Sequence, residues 1–237
     1  MWRLSIVTLY PDLFPGTLGA SIIGKGAEKG LWSLDVHNIR SYATDKHQTV
    51  DDSPFGGGAG MVMRPDVLDA CLHAVAERNP FDRLLVTSAR GVSLTQERAE
   101  NLVKDKHVGI ICGRFEGIDQ RVLDKWKVTE ISIGDYVLAG GEVAAMVIAE
   151  SCIRLLPNVM NSGNSLMEES FTNGLLEYPQ FTRPQEWSGR GVPDVLVSGH
   201  HENVRKWRCA ESEKITRERR PDLWQAYLAK KKTEEKR

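Results

Sequence analysis

The chain has 237 residues, with 31 Lys+Arg against 32 Asp+Glu and a formal net charge of −1. Its 41% hydrophobic and 27% charged residues exclude a disordered or fibrous polymer, and no apolar run approaches the roughly 20 residues of a membrane-spanning helix. The four cysteines (Cys71, Cys112, Cys152, Cys209) form no CxxC pair and no zinc-finger spacing, so no metal centre and no disulfide framework are expected. Trp2 to Tyr10 ends in Pro11-Asp12, too early and too polar for a secretory signal, and a cytoplasmic protein is expected. The neutral total conceals a mild asymmetry. Residues 1–160 carry 17 basic and 20 acidic side chains, and residues 161–237 carry 14 and 12. Ser198–Arg220 alone holds seven basic against four acidic, which permits a basic contact surface without requiring one.

Along the first 155 residues, strand-like and helix-like segments alternate. Short runs rich in Ile, Val and Leu predict strands at Arg3–Leu9, Leu31–Ile39, Arg83–Ser88, His107–Cys112 and Thr129–Ile133. Helical patterns lie between them at Leu18–Lys29, Pro65–Arg78, Thr95–Lys104 and Ile118–Lys125, and Glu142–Leu156 closes the region. This alternation predicts an α/β fold with a parallel sheet and helices on both faces. Asn158–Ser165 is polar and aperiodic and reads as a flexible linker. Phe181–Asp194 is loop-like, and two helices follow at about His201–Glu211 and Pro221–Lys230. The second places Leu223, Trp224, Tyr227 and Leu228 on one face, enough for a small helical domain.

The glycine cluster Gly56–Gly60 is not a nucleotide phosphate loop, because no Gly-Lys-Ser/Thr follows it and Met61 breaks GxGxxG. It ends a long permissive loop, Tyr42–Gly60, that contains Asp45, His47, Asp51 and Asp52. Three further loops stand just past strand ends: Thr87–Gly91, Gly113–Gly117 and Gly134–Gly141. Parallel sheets hold their ligands there. From composition alone the loops point to a small-molecule pocket and no more.

The segments Ile111-Cys-Gly-Arg-Phe-Glu-Gly-Ile-Asp119, Ser132-Ile-Gly-Asp-Tyr-Val-Leu-Ala-Gly-Gly-Glu142 and Thr49–Met61 resemble signatures of bacterial tRNA (guanine-N1)-methyltransferases, knotted enzymes of the SPOUT type. Glu169–Glu177, Thr182–Pro184 and Ser198–Arg208 extend the resemblance, in order, over about residues 1–225. The resemblance implies a trefoil-knotted, S-adenosylmethionine-binding domain over residues 1–160, a flexible catalytic linker over 161–174 and a helical tRNA-binding domain over 175–237. It also implies a homodimer with shared active sites and transfer of a methyl group to N1 of the guanosine immediately 3′ of the anticodon. It leaves room for Mg²⁺.

Carried over by position, Thr87, Ser88, Gly113, Glu116, Ile133, Gly134, Tyr136, Leu138, Gly140 and Gly141 are expected to line the cofactor site. Glu169 is the expected general base, with Arg154 stabilising charge on O6. His47, Asp51, Arg205, Lys206 and Arg208 are the expected tRNA contacts. The chain departs from the family pattern at Ala89 and Ala144, where Pro is typical, and at Phe115, where Tyr is usual. Glu169 and Glu177 replace the usual Asp, and His200 the more frequent Asn. From spacing alone, Arg154 reads instead as an i+4 partner of Glu150. Two rivals follow from the same residues: a knotted methyltransferase acting on ribose 2′-OH, and a catalytically silent tRNA-binding protein.

Overall fold

β-Branched, apolar segments separated by helices can bury both faces only in a sheet covered on two sides, and the first part of this chain does so. The computed structural model describes residues 1–160 and 168–234. The chain divides into two compact units, Met1–Asn161 and Ser162–Arg237. Half of the expected linker, residues 161–167, lies outside the described residues.

The strands of the first unit are β1 (Trp2–Thr8), β2 (Trp32–Asn38), the two-residue β3 (Asp51–Asp52) and β4 (Val62–Met63), β5 (Arg83–Ser93), β6 (His107–Ile111) and β7 (Thr129–Ser132). Its α-helices are α1 (Ser21–Glu28), α2 (Pro65–Arg78), α3 (Gln96–Leu102), α4 (Gln120–Lys125) and α5 (Glu142–Ile153). The central sheet has the order β2-β1-β6-β5-β7 and is parallel throughout. Alternation along β1 splits the core. Leu4 and Ile6 pack with Ala145, Ile148 and Cys152 of α5 on one face, and Val7 joins Leu68 and Leu72 of α2 and Leu123 of α4 on the other. Neighbouring Ile110 and Ile111 divide between the same two clusters.

Three differences from the expected elements have local causes. Strand β5 continues past Ser88 to Ser93, because the polar run Ser88–Gly91 leaves the ladder and the chain then re-pairs with β7. Thr87 and Val92 both oppose Ile131, a bulge that sequence polarity presents as a strand end. The expected helix from Leu18 is divided into a 3₁₀ turn, Gly16–Gly19, and α1 from Ser21. The long loop contains β3, which pairs antiparallel with β4 just past its end, with Asp51 opposite Met63.

In the second unit, Glu186–Trp187 and Arg190–Gly191 form a short antiparallel ribbon inside the segment read as loop. A one-turn helix, Asp194–Val197, precedes the helices His201–Arg219 and Pro221–Glu234. The first of these runs well past Glu211, and its inner face there is Ser212 and Thr216, both buried. Thr216 Oγ1 donates to Ser212 O at 2.6 Å and accepts from Leu176 N at 2.8 Å. Hydroxyls in place of aliphatics hide this face from a hydrophobic pattern. Leu223, Trp224, Tyr227 and Leu228 are half-buried on one face as expected, with the Trp224 and Tyr227 rings stacked at 5.6 Å. Among the described residues no helix is long and apolar enough to cross a membrane.

The entry to β6 is fixed by Asp82, whose Oδ2 accepts from Lys106 N at 2.8 Å and His107 N at 2.9 Å. Those two amides, His107 first, hold its carboxyl below the usual carboxylate range. The unfolded chain therefore binds the proton more readily, and this stabilisation is present above pH about 4 and lost as pH falls through the lowered pKa. Asp82→Asn is expected to lower the melting temperature at pH 7 by about 2–4 °C. Thermal melts across pH should show the difference from the parent shrinking toward pH 3.

Candidate functional site

The carboxyl ends of β5, β6 and β7 open into a cavity of about 470 Å³. The loops Thr87–Gly91 and Gly113–Gly117 and the segment 133–141 wall it. All ten residues expected at a cofactor site are in this lining: Thr87, Ser88, Gly113, Glu116, Ile133, Gly134, Tyr136, Leu138, Gly140 and Gly141. Residues 46 positions and more apart in sequence are gathered because the sheet places β5 between β6 and β7.

The three walls touch through backbone. Gly141 N donates to Gly113 O at 2.9 Å. A Cβ on Gly141 would collide with Thr87 Oγ1 and would lie 2.8 Å from Gly113 N. A Cβ on Gly91 would likewise strike the backbone of Ile131. At these two positions only glycine lets the segments approach so closely. The fourth side of the cavity is tied to the long glycine-containing loop. Glu116 N donates to Met61 O and Met63 N donates to Gly117 O, each at 2.9 Å. Ser132 Oγ and Gly134 exchange hydrogen bonds at 3.1–3.2 Å, closing the turn out of β7. Phe115, at φ +58°, stands 46% exposed on the rim with Tyr136 and Leu138. Ala89 is exposed and Ala144 buried, and both line the cavity.

Beneath the cavity lies a buried charged group, Glu142, at the start of α5. Glu142 is 1% exposed. It accepts from Thr8 Oγ1 at 2.8 Å and Arg114 Nε at 3.1 Å, and its Oε2 is 2.8 Å from an Arg114 terminal nitrogen. Both residues sit inside the motifs already singled out, but spacing could not show that they meet. Burial first, and the Glu142 carboxylate second, push the neighbouring Cys112 thiol well above its ordinary value, so it stays protonated and is no nucleophile. Among the described residues no group of three or more His, Cys, Asp or Glu side chains is placed to hold a metal ion.

Arg154 caps α5 in the first unit, half-buried, its N–H donating to Glu150 O at 3.1 Å. Glu169 belongs to the second unit and is also half-buried. Its neighbour Glu168 is engaged by Tyr178 Oη at 2.6 Å and Arg208 at 3.0 Å. Arg208 also lies over the Tyr178 ring at 4.7 Å. Lys206 pairs with Glu202 one turn away at 2.9 Å, whereas Arg205 is exposed. In the first unit His47 is exposed in a turn closed by Asp45, and Asp51 is half-buried in β3. Trp207 is half-buried against Phe181, with ring centroids 6.1 Å apart.

Comparison with known proteins agrees with the motifs. Residues 2–226 match the family model described as tRNA (Guanine-1)-methyltransferase TrmD. A relative from Rhodospirillum rubrum is 57% identical over 228 residues, covering 96% of this chain and 94% of its own length. Another from Nitrobacter winogradskyi is 53% identical over 235 residues, covering 99% and 98%. One from Anaplasma marginale is 52% identical over 219 residues, covering 92% and 93%. All three bear the name tRNA (guanine-N(1)-)-methyltransferase.

The close approach at Gly141 generates a direct test. Gly141→Ala must push the Gly113 loop or Thr87 away, because the collision is with backbone and a short, fixed side chain. Calorimetric titration with S-adenosylmethionine is expected to show affinity reduced at least about tenfold. Circular dichroism should show secondary structure preserved.

Proposed function

This chain belongs to the tRNA (guanine-1)-methyltransferase family, and on that premise we propose that it transfers a methyl group from S-adenosylmethionine to N1 of the guanosine immediately 3′ of the anticodon in tRNA. The observation that carries the reading is the convergence of three strand-end loops on one cavity, two of them within the signature segments. Its size suits a nucleoside-sized ligand. Backbone amides and carbonyls of glycine-bearing loops can read an adenine edge and ribose, while Ile133, Leu138 and Tyr136 offer apolar faces to the base. The donor supplies an electrophilic methyl group on a sulfonium and leaves as the neutral thioether.

N1 of guanine carries a proton and is a weak nucleophile until that proton leaves. Glu169 accepts the N1 proton as the N–C bond forms, and Arg154 stabilises the negative charge that gathers on O6. The longer Glu at 169 places a carboxylate one methylene further from the backbone than Asp would, and the surrounding segment absorbs that difference.

Three finer features complete the proposal. The first unit forms a trefoil knot through the three cavity loops. Supporting it are the glycine contacts among those loops and the return of β5 to the ladder after its bulge. The protein acts as a homodimer in the cytoplasm, each site shared between subunits. Supporting it, Val143 and Val147 of α5 are 59% and 41% exposed and Val137 is 88% exposed, apolar side chains that a second copy would cover. The second unit holds the tRNA, with Arg205 and Lys206 positioning phosphates without specifying sequence.

Incubation with labelled S-adenosylmethionine and tRNA bearing G or A at the target position tests the reading. N1-methylguanosine is expected from the G substrate alone. A ribose methyl would support transfer to a 2′-OH instead, and binding without product would support a silent tRNA-binding protein. Glu169→Ala is expected to lower kcat by about 10²–10⁴-fold, the range for loss of a general base. Its tRNA affinity should stay within about threefold of the parent, as for a group acting only in the transition state.

A further inference from the structure

We propose that Arg114 is a positioning residue: clamped by the buried Glu142, its guanidinium ties two walls of the cavity together and sets their separation for the methyl donor. The inference rests on reading that cavity as the donor site. Arg114 leaves the Gly113–Gly117 loop and reaches across to the 133–141 segment. One terminal nitrogen donates to Ala139 O at 3.2 Å, Nε donates to Glu142 Oε1 at 3.1 Å, and the other terminal nitrogen lies 2.8 Å from Glu142 Oε2. Thr8, at the end of β1, donates to Glu142 Oε1 at 2.8 Å. The Tyr10 ring lies 4.3 Å from the guanidinium carbon. The clasp thus spans the ends of β1 and β6, the loop after β7 and the start of α5.

Three observations show that this arrangement is built rather than incidental. Glu142 is 1% exposed, and among the described residues the Arg114 guanidinium is the cation paired with it. The Arg114 side chain is 21% exposed, with the Tyr10 ring against it. Gly140 faces Arg114 so closely that a Cβ would collide with the guanidinium. The two glycines before Glu142 therefore have separate duties. Gly140 admits the arginine, and Gly141 admits the Gly113 loop.

A planar guanidinium can hold a carboxylate and a carbonyl at once, whereas a lysine ammonium is a point charge. Arg114→Lys keeps the charge that Glu142 needs but gives up the fork. With Arg114→Lys, KM for S-adenosylmethionine is expected to rise about tenfold, while kcat at saturating donor and KM for tRNA stay within about twofold. Calorimetric binding of the product, S-adenosylhomocysteine, should weaken in parallel, because loop spacing affects donor and product alike. Weakening confined to the sulfonium would overturn positioning in favour of a direct charge effect. A lowered melting temperature with unchanged KM would reduce the pair to a structural role and overturn the proposal. If Arg114→Lys does not fold, Arg114→Gln with Glu142→Gln removes both buried charges together. That pair is expected to show the same KM rise at unchanged kcat, and unchanged KM would overturn the proposal. Failure of the parent protein to bind S-adenosylmethionine at all would instead refute the donor site itself.

Discussion

The cavity depends on one steric constraint, backbone lying against backbone where no side chain fits. Gly141 rests on Thr87 and Gly113, and Gly91 rests on Ile131. Each contact joins segments far apart in the chain, so the order of β6, β5 and β7 in the sheet must be set before the loops can meet. The two hydrophobic clusters set it. Alternate residues of β1 and β6 lock α5 to one face and α2 with α4 to the other, leaving the strand ends little freedom. A core of ordinary aliphatic residues thereby prepares a site made mostly of main chain.

A buried carboxylate follows from the same crowding. Where three loops and a helix start converge, water is excluded, and a helix N-terminus in that position favours an acid. An acid so enclosed is costly unless a cation meets it. Arg114 meets it from a neighbouring loop, and Thr8 satisfies an oxygen from β1. Electrostatics therefore reinforces what sterics permits.

Legibility in the sequence followed the physics of each feature. The α/β alternation was readable because strands buried on both faces must be apolar throughout, as Val108 to Ile111 are. The three ligand-bearing loops were readable from their glycines and their place after strands. Their convergence was not readable from composition, since pairing order is a property of the whole sheet; the expectation that all three line one site came from the family resemblance. The extent of β5 was hidden because Ser88–Gly91 carries the composition of a turn while the chain resumes pairing at Val92. The reach of the helix His201–Arg219 was hidden because its buried face is hydroxylic at Ser212 and Thr216. The Arg114–Glu142 contact was invisible for a related reason. Both residues were inside recognised motifs, yet 28 positions separate them, and only the fold makes them neighbours.

The distribution of the proposed chemistry between the two units has a kinetic consequence. Among the described residues, those lining the cavity lie in the first unit, between Val62 and Ala144. The proposed base, Glu169, belongs to the second unit, and so do the exposed basic side chains proposed to hold tRNA. On the proposed roles, donor binding draws on the first unit, while proton removal draws on the second. Such a division guards the sulfonium methyl from adventitious acceptors until the base is present. It also accounts for the near-neutral composition. Within the second unit Lys206 and Arg208 pair with Glu202 and Glu168, so acids offset part of its basic surface.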